Sequence, residues 1–470
     1  MYSREAYVAI KAEVSENTYV KPDVFLPVLK VDVPVLYRSN PSMPILGNRS
    51  LNINPVKDLI EAPTGSLTVT CEPKTFGHFL KSVFGVMTSG VYFPITSASA
   101  NFTVGETVTG GASSKTAVIL AYSKESDYML VGTLSGVFTD GETLTGGASL
   151  STATLGNQAA TVYGHEAEAP QSSLPTYTME IGIKNEAYRL GGVRFIGINS
   201  ITHQDNMIVA DMAVMARSAF LMARVTAITT SGAGAQTIAL DQTTGLLESD
   251  TIKVFRPSTG AFIDFSASTV KTHTITSVDS EIQITVTNLE TSLAVGDLIV
   301  FAPQTASYTL GTEFCWIGGS TVRIADDIDT AISASEDSIE EFDFSIQNEL
   351  EQRHGANGVN VVNRYPTSNL LKKMSGEGSL KRAYTDMTYL DKVRQSQKTA
   401  MQVKHTGALI GSTTINNSLE LRVPYAVLRP YLPALEEDKL LDDELEFDMY
   451  RSSADGYTVK ALLVNDVASY

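Results

Sequence analysis

The sequence predicts an all-β protein, and three observations carry that prediction. Thr, Val, Ile, Tyr and Phe recur in short alternating runs, the period of strands with one buried and one wet side. Gly, Asn, Asp, Ser and Pro break these runs at turn spacing. Only two stretches have helical periodicity. One is about 74–85, where Phe76, Phe79, Leu80 and Val83 share a face and Gly85 caps the end. The other is about 386–395, with Met387, Leu390 and Val393 as its stripe. A β-rich chain with two short helices is not a doubly wound α/β pattern.

At 470 residues the chain has room for roughly three units of about 150 residues. Hydrophobic residues make up 43%, enough for several cores. No run approaches the roughly 18 apolar residues of a membrane span, so no membrane partner is expected. The N-terminus lacks the apolar stretch of a secretory signal. Cys71 and Cys315 are the only cysteines, which argues against a disulfide framework and fits synthesis in a reducing cytoplasm. The formal net charge is −17. That argues against a protein that wraps DNA by neutralising phosphates, and does not exclude one past which DNA slides; on charge alone plain solubility is the favoured reading.

Two segments read as insertions. The first, 97–165, repeats itself: Phe102-Thr-Val-Gly105-Glu106-Thr-Val-Thr-Gly110-Gly111-Ala112-Ser113 returns as Phe138-Thr-Asp-Gly141-Glu142-Thr-Leu-Thr-Gly146-Gly147-Ala148-Ser149, an offset of 36 residues (141 − 105). Each copy gives turn, strand, turn and strand, and neither hairpin buries a face alone, so the two are expected to close on each other. Gly110–Lys115 lacks the spacing of a phosphate loop and a following helix, and reads as a turn. The second insertion, 223–304, has weakly similar halves around Asp250 and Asp297. The remainder, 1–96 with 166–222 and then 305–470, echoes itself. Pro63-Thr64, Gly65-Ser66-Leu67 and the first helix match Pro366-Thr367, Gly378-Ser379-Leu380 and the second.

In the second half, Ser338–Glu351 ends a strand in an Asn348-Glu turn, followed by Gly355-Ala-Asn-Gly358, Arg364-Tyr-Pro366-Thr367, Gly376-Glu-Gly378-Ser379-Leu380, a helix with Tyr389 and Leu390, and Leu419–Pro424. The first half has Lys11-Ala-Glu13-Val, Asn48-Arg49, Gly65-Ser66-Leu67, Thr75-Phe76-Gly77-His78-Phe79-Leu80 and Tyr188–Gly192. This ordered set, over about two-thirds of the chain, resembles bacteriophage tail tube proteins, the major tail proteins of virions. The resemblance implies two tail-tube-like β-sandwich domains in one chain, each with a flanking helix, plus the two small inserted β modules. It implies a structural protein and no enzyme. Trimeric, pseudo-hexameric rings would stack into the conduit for DNA ejection. The implied partners are other copies of the chain, a tape measure protein and DNA in the lumen without specific binding, and other tail proteins at the ends; the implied location is the virion tail. A host-binding fibre or spike, a capsid decoration protein and a tail terminator are the alternatives; the single Trp speaks against an aromatic-rich binding spike.

A tube wall needs strands with an apolar and a polar face. Phe342, Phe344 and Ile346 oppose Glu341, Asp343, Ser345 and Gln347; Leu445, Phe447 and Met449 oppose Glu444, Glu446, Asp448 and Tyr450; Met179, Ile181 and Ile183 oppose Thr178, Glu180, Gly182 and Lys184. Glu341, Asp343, Gln347, Glu444, Glu446, Asp448 and Glu180 are therefore the candidate lumen residues, where carboxylates repel passing phosphates. A solvated sandwich face has the same alternation. The long loop 352–369, with His354, Asn357 and Arg364, is the candidate contact between rings, and 38–61 its first-half counterpart. The six histidines have no metal-binding spacing. The Ala325–Asp329 acidic run lacks a calcium-loop pattern and reads as a solvated turn, as does 436–444. Trp316 and both cysteines are expected in packing roles, and no metal or cofactor is implied.

Overall fold

The computed structural model describes residues 6–33, 63–159, 161–169, 173–184, 186–228, 236–262, 272–286, 293–353, 368–384, 387–431 and 442–470. The chain begins with β1 (Ala6–Ala12), β2 (Val24–Phe25), β3 (Val28–Asp32), β4 (Thr64–Thr70), helix α1 (Phe76–Phe84) and β5 (Met87–Thr96). Next come β6 (Thr107–Gly110), β7 (Thr116–Ser123), β8 (Tyr128–Gly132), β9 (Thr143–Gly146) and β10 (Thr152–Leu155). The middle holds β11 (Tyr163–Ala169), β12 (Tyr177–Ile183), β13 (Glu186–Gln204), β14 (Met207–Met215) and β15 (Ser218–Phe220). Then follow β16 (Ala223–Ile228), β17 (Gln236–Leu240), β18 (Thr251–Arg256), β19 (Ala261–Phe262), β20 (His273–Ser280), β21 (Gln283–Val286) and β22 (Leu298–Phe301). The last part has β23 (Ser320–Ala325), α2 (Ile328–Ser333), β24 (Ile339–Arg353), β25 (Ser368–Ala383), α3 (Thr388–Arg394), β26 (Lys398–Leu409), β27 (Asn416–Leu428), β28 (Asp442–Met449) and β29 (Val459–Asn465).

The all-β expectation holds, and every strand pairing is antiparallel. The body is a sandwich. One sheet runs β3-β4-β14-β13-β24-β25-β28. Opposite it lie β5-β11-β29-β27-β26-β23 and β2-β1-β12-β13-β15. Strand β13 serves both layers. Its first half pairs with β12 and its second with β14, and the chain bends between them at Gly192 (φ 59°), where a Cβ would come within 2.7 Å of the Arg217 side chain. Strand β27 bridges the layers in the same way, pairing β29 early and β28 late.

One core fills the space between the layers. Phe342, Phe344 and Ile346 of β24 meet it with Leu380, Leu445 and Phe447, each contributing about 1.5–3 kcal/mol by leaving water. Helix α1 adds Phe76, Phe79, Leu80, Val83 and Phe84, all 1% exposed or less. Its final N–H bond runs from Gly85 to the Lys81 carbonyl, with Gly85 at φ 89°, as expected for a glycine that ends a helix.

Two smaller closed barrels branch from the body. The first is a ring of six strands, β5-β8-β7-β6-β9-β10 and back to β5. The second is β16-β17-β21-β20-β18-β22 and back to β16, with β19 beside β18. Each has its own core. Closure removes the open edges that hairpins this short would otherwise leave. The first barrel does not keep to the expected limits at 97 and 165: β5, which ends at Thr96, supplies one of its strands, and β11, which runs through residue 165, belongs to the body sheet.

Four expectations need correction. There are three helices, not two, among the described residues. The acidic run at Ala325–Asp329 starts α2, because Asp327 caps it, accepting from the Thr330 N–H at 2.8 Å, while Ile328, Ala331 and Ile332 turn inward. In α3 the buried residue is Tyr389, under the Arg382 guanidinium at 4.8 Å, whereas Met387 of the expected stripe is 71% exposed. The polar side of β12 is also covered, as described below. Cys71 is fully buried and Cys315 half-buried. Trp316 lies flat against His203 and Phe342, 5.1 and 6.3 Å between ring centres.

Candidate functional site: the acidic face of the long sheet

Strands β24, β25 and β28 pair so that their outward residues form three rows. Glu341, Lys381 and Glu444 make one row, Asp343, Ser379 and Glu446 the next, and Ser345, Glu377 and Asp448 the third. The inward neighbours are the apolar residues of the core, which is why alternation places these carboxylates together. Six of the seven candidate lumen residues thus share one sheet face: Glu341, Asp343, Gln347, Glu444, Glu446 and Asp448.

Arg429, which the sequence did not single out, ties this face together. Its guanidinium donates to Glu446 at 3.1 Å, and to Glu377 and Asp448 at 2.6 Å each. These three hydrogen bonds raise its pKa above the ordinary value. Lys381 reaches Glu341 at 3.3 Å and Asp442 at 3.6 Å. Burial, with Glu377 nearby, raises the Asp343 carboxyl above the usual range.

The face continues past the junction with β13. Gln347 donates to Asn199 at 2.7 Å, Asn199 to Asp211 at 2.8 Å, and Thr68 to the other Asp211 oxygen at 3.3 Å. These side chains cross β24, β13, β14 and β4 in turn. Asp211, Glu341, Asp343, Glu377, Glu444, Glu446 and Asp448 stand on this face against Lys381 and Arg429. At the far end of the β24–β25 hairpin the signs alternate, with Lys372 and Lys373 beside Glu349 and Glu351. The central field is therefore negative, and it repels phosphate over about a Debye length, ~8–10 Å at ordinary salt.

Glu180 does not belong to this face. It is 1% exposed on β12, where it accepts from Tyr7 at 2.6 Å, from Arg189 at 2.8 Å and from Gln304 at 2.9 Å. The polar side of β12 is covered by the chain around Gln304 and by the second barrel, whose Asp250 holds the other side of Arg189. His354, Asn357 and Arg364 lie outside the described residues, as does the whole of 38–61; the strands on either side of 354–367 pair at Arg353 and Ser368. Segment 432–441 also lies outside, and Asp443 just after it is fully buried, accepting from Tyr431 at 3.0 Å.

Among the described residues no group of acids, histidines and cysteines is arranged to hold a metal ion. No helix among them is long and apolar enough to cross a membrane. No protein-family model matches the chain, and no curated protein matches it significantly.

Proposed function

We propose that the chain is the wall subunit of a bacteriophage tail tube, a structural protein of the virion tail. One observation carries this reading: a single sheet crosses both halves of the chain, apolar inside and acidic outside, and is joined edge to edge at β13 and β24 through Gly197–Gln347, Ile198–Ile346 and Ile201–Phe344. On either side of that joint the order is alike. Strands β3-β4-β14-β13 correspond to β24-β25-β28-β27. Gly65-Ser66-Leu67 sits in β4 before α1, and Gly378-Ser379-Leu380 sits in β25 before α3. This supports a duplicated wall domain.

In this reading the joint within the chain is repeated between chains. The end of β27 in one copy meets β3 of the next, and three copies close a ring of six wall domains. The acidic face lines the channel, so DNA and a tape measure protein pass without a basic trap. In the same reading residues His354, Asn357 and Arg364 make the contact from one ring to the next, and other tail proteins close the ends.

Leu29 and Val31 are 52% and 38% exposed on β3, so changing both to Asp tests the joint. Light scattering of the wild type is expected to give trimers or larger tubes, and of the double variant a folded monomer. A monomeric wild type at high concentration, without label along tail shafts, would refute the proposal.

A further inference from the structure

One turn occurs four times in the two small barrels, ending at Glu106, Glu142, Asp250 and Asp297. In each, the acid's side chain accepts the N–H of the residue three places earlier, at 2.7, 2.7, 2.8 and 2.8 Å. Its own N–H donates back to the carbonyl of that residue. The residue just before the acid has positive φ, 90°, 79°, 68° and 98° at Gly105, Gly141, Ser249 and Gly296. The acid's carbonyl then accepts from a fully buried aliphatic on the paired neighbouring strand: Ile119, Leu155, Ile275 and Val225. A buried apolar residue stands four places before each acid, at Phe102, Phe138, Leu246 and Leu293.

Laying turn on turn matches β6 with β18 and β9 with β22. Around the ring the other strands then match too, β7 with β20, β8 with β21 and β10 with β16, leaving β5 for β17. Under this matching the first ring, β5-β8-β7-β6-β9-β10, becomes β17-β21-β20-β18-β22-β16, which is the ring of the second barrel. Only the cut differs. The body chain enters the first barrel at β5 and leaves after β10, two strands paired at Ile95–Leu155. It enters the second at the counterpart of β10 and leaves from the counterpart of β9, which pair at Ala223–Ile299.

The acid also has spare acceptor positions, and their occupant changes. In the first barrel each Glu takes the Gly-Gly-Ala-Ser turn of the other repeat. Glu106 accepts from Ala148 N–H, Ser149 N–H and the Ser149 hydroxyl at 2.7–2.8 Å, and Glu142 from Ala112 and Ser113 likewise at 2.8–2.9 Å. In the second barrel the occupants are guanidinium groups. Asp297 holds Arg256 at 2.8 and 2.9 Å. Asp250 holds Arg189 of the body strand β13 at 2.6 and 3.0 Å, and that guanidinium also donates to Gly245 and Glu180 and lies 4.2 Å from the Phe301 ring centre.

We propose that the two barrels are one module in two circular permutations, and that its acid turn is a docking socket by which the second copy grips the body through Arg189. The planar fork of an arginine meets a carboxylate on each side, which a lysine cannot reproduce. The grip orients the second module on the body, whereas the first is oriented by β5 running from body sheet into barrel.

Hydrogen exchange on the full chain tests both parts. Glu142→Ala is expected to speed exchange about tenfold or more at 111–114, in the sister repeat, and at Leu155. Asp297→Ala should act in the same way at Ala294 and Val225. Arg189→Met should speed exchange at the joints near 221–224 and 302–306 while β18, β20 and β21 stay protected, with Arg189→Lys intermediate. If Glu142→Ala acts only within 139–142, or Asp297→Ala leaves Val225 slow, the shared module is refuted. If Arg189→Met and Arg189→Lys leave the joints as slow as in the wild type, or open the barrel strands together with them, the docking role is refuted.

Discussion

Strands β12 and β28 have nearly the same written pattern and opposite fates. Both alternate apolar and acidic or polar residues, yet Glu446 stands on an open face whereas Glu180 is sealed against Arg189. The difference lies in what covers the second face. Over β12 the chain brings Tyr7, Gln304 and the second barrel. Over β28 lie the side chains of Arg429 and Lys381, themselves part of the surface network. Alternation therefore decides which residues share a face, and long-range packing decides whether that face meets water.

The contrast can be broken from either side. Glu180→Ala leaves Tyr7, Gln304 and half of Arg189 without their buried partner and is expected to cost about 3–5 kcal/mol, read as a lower urea midpoint. Phe344→Ala, on the inward side of the acidic sheet, should cost a similar ~3–5 kcal/mol by opening a cavity. Glu446→Ala, measured in the same way, should cost no more than about 1 kcal/mol, because its pair with Arg429 is exposed.

Acid separates the body from the first barrel. Burial holds the His405 imidazole down at about 4 and, with Lys81 adding to burial, that of His78 at about 4. The unfolded chain binds those protons first, so body stability falls as pH drops from about 6.5 towards 4. In the barrel, burial works to raise the Glu106 carboxyl, but hydrogen bonds from Ser149, Thr103 and Ala148 win and bring it down to about 2. Its contribution is full above about 4.5 and is lost as pH falls towards 2. Exchange measured from pH 7 to 4 should therefore show the body loosening before the first barrel. His405→Gln should flatten part of the body's slope.

The largest effect on charge comes from Glu444→Lys, Glu446→Lys and Asp448→Lys together. This variant is expected to stay folded and to bind DNA with a steep salt dependence, and the wild type is expected to show no such binding.

Much of this was legible because it is local. The strand faces of β24 and β28 and helix α1 follow from periodicity within about ten residues, and the tandem repeat from direct self-similarity at an offset of 36 residues. Helix α2 was not, since its six residues give too little period and its start depends on the Asp327 cap. Arg429 has three carboxylate partners on two other strands, between 17 and 52 residues away, and nothing local marks it. Glu180 was misplaced for the same reason: Asp250 and Gln304 reach its neighbourhood only after the second barrel folds back. The kinship of the two barrels was obscured because permutation moves the matching strands out of chain order, leaving only the short turns around each acid alike.

The central claim is tested most directly by a cryo-EM cross-section of assembled tubes or tails. The account predicts three chains per ring, with the β24–β25–β28 face and Glu341, Asp343, Glu446 and Asp448 towards the channel, and both barrels outside. Density that turns this face outward, or buries it against another protein, would contradict it.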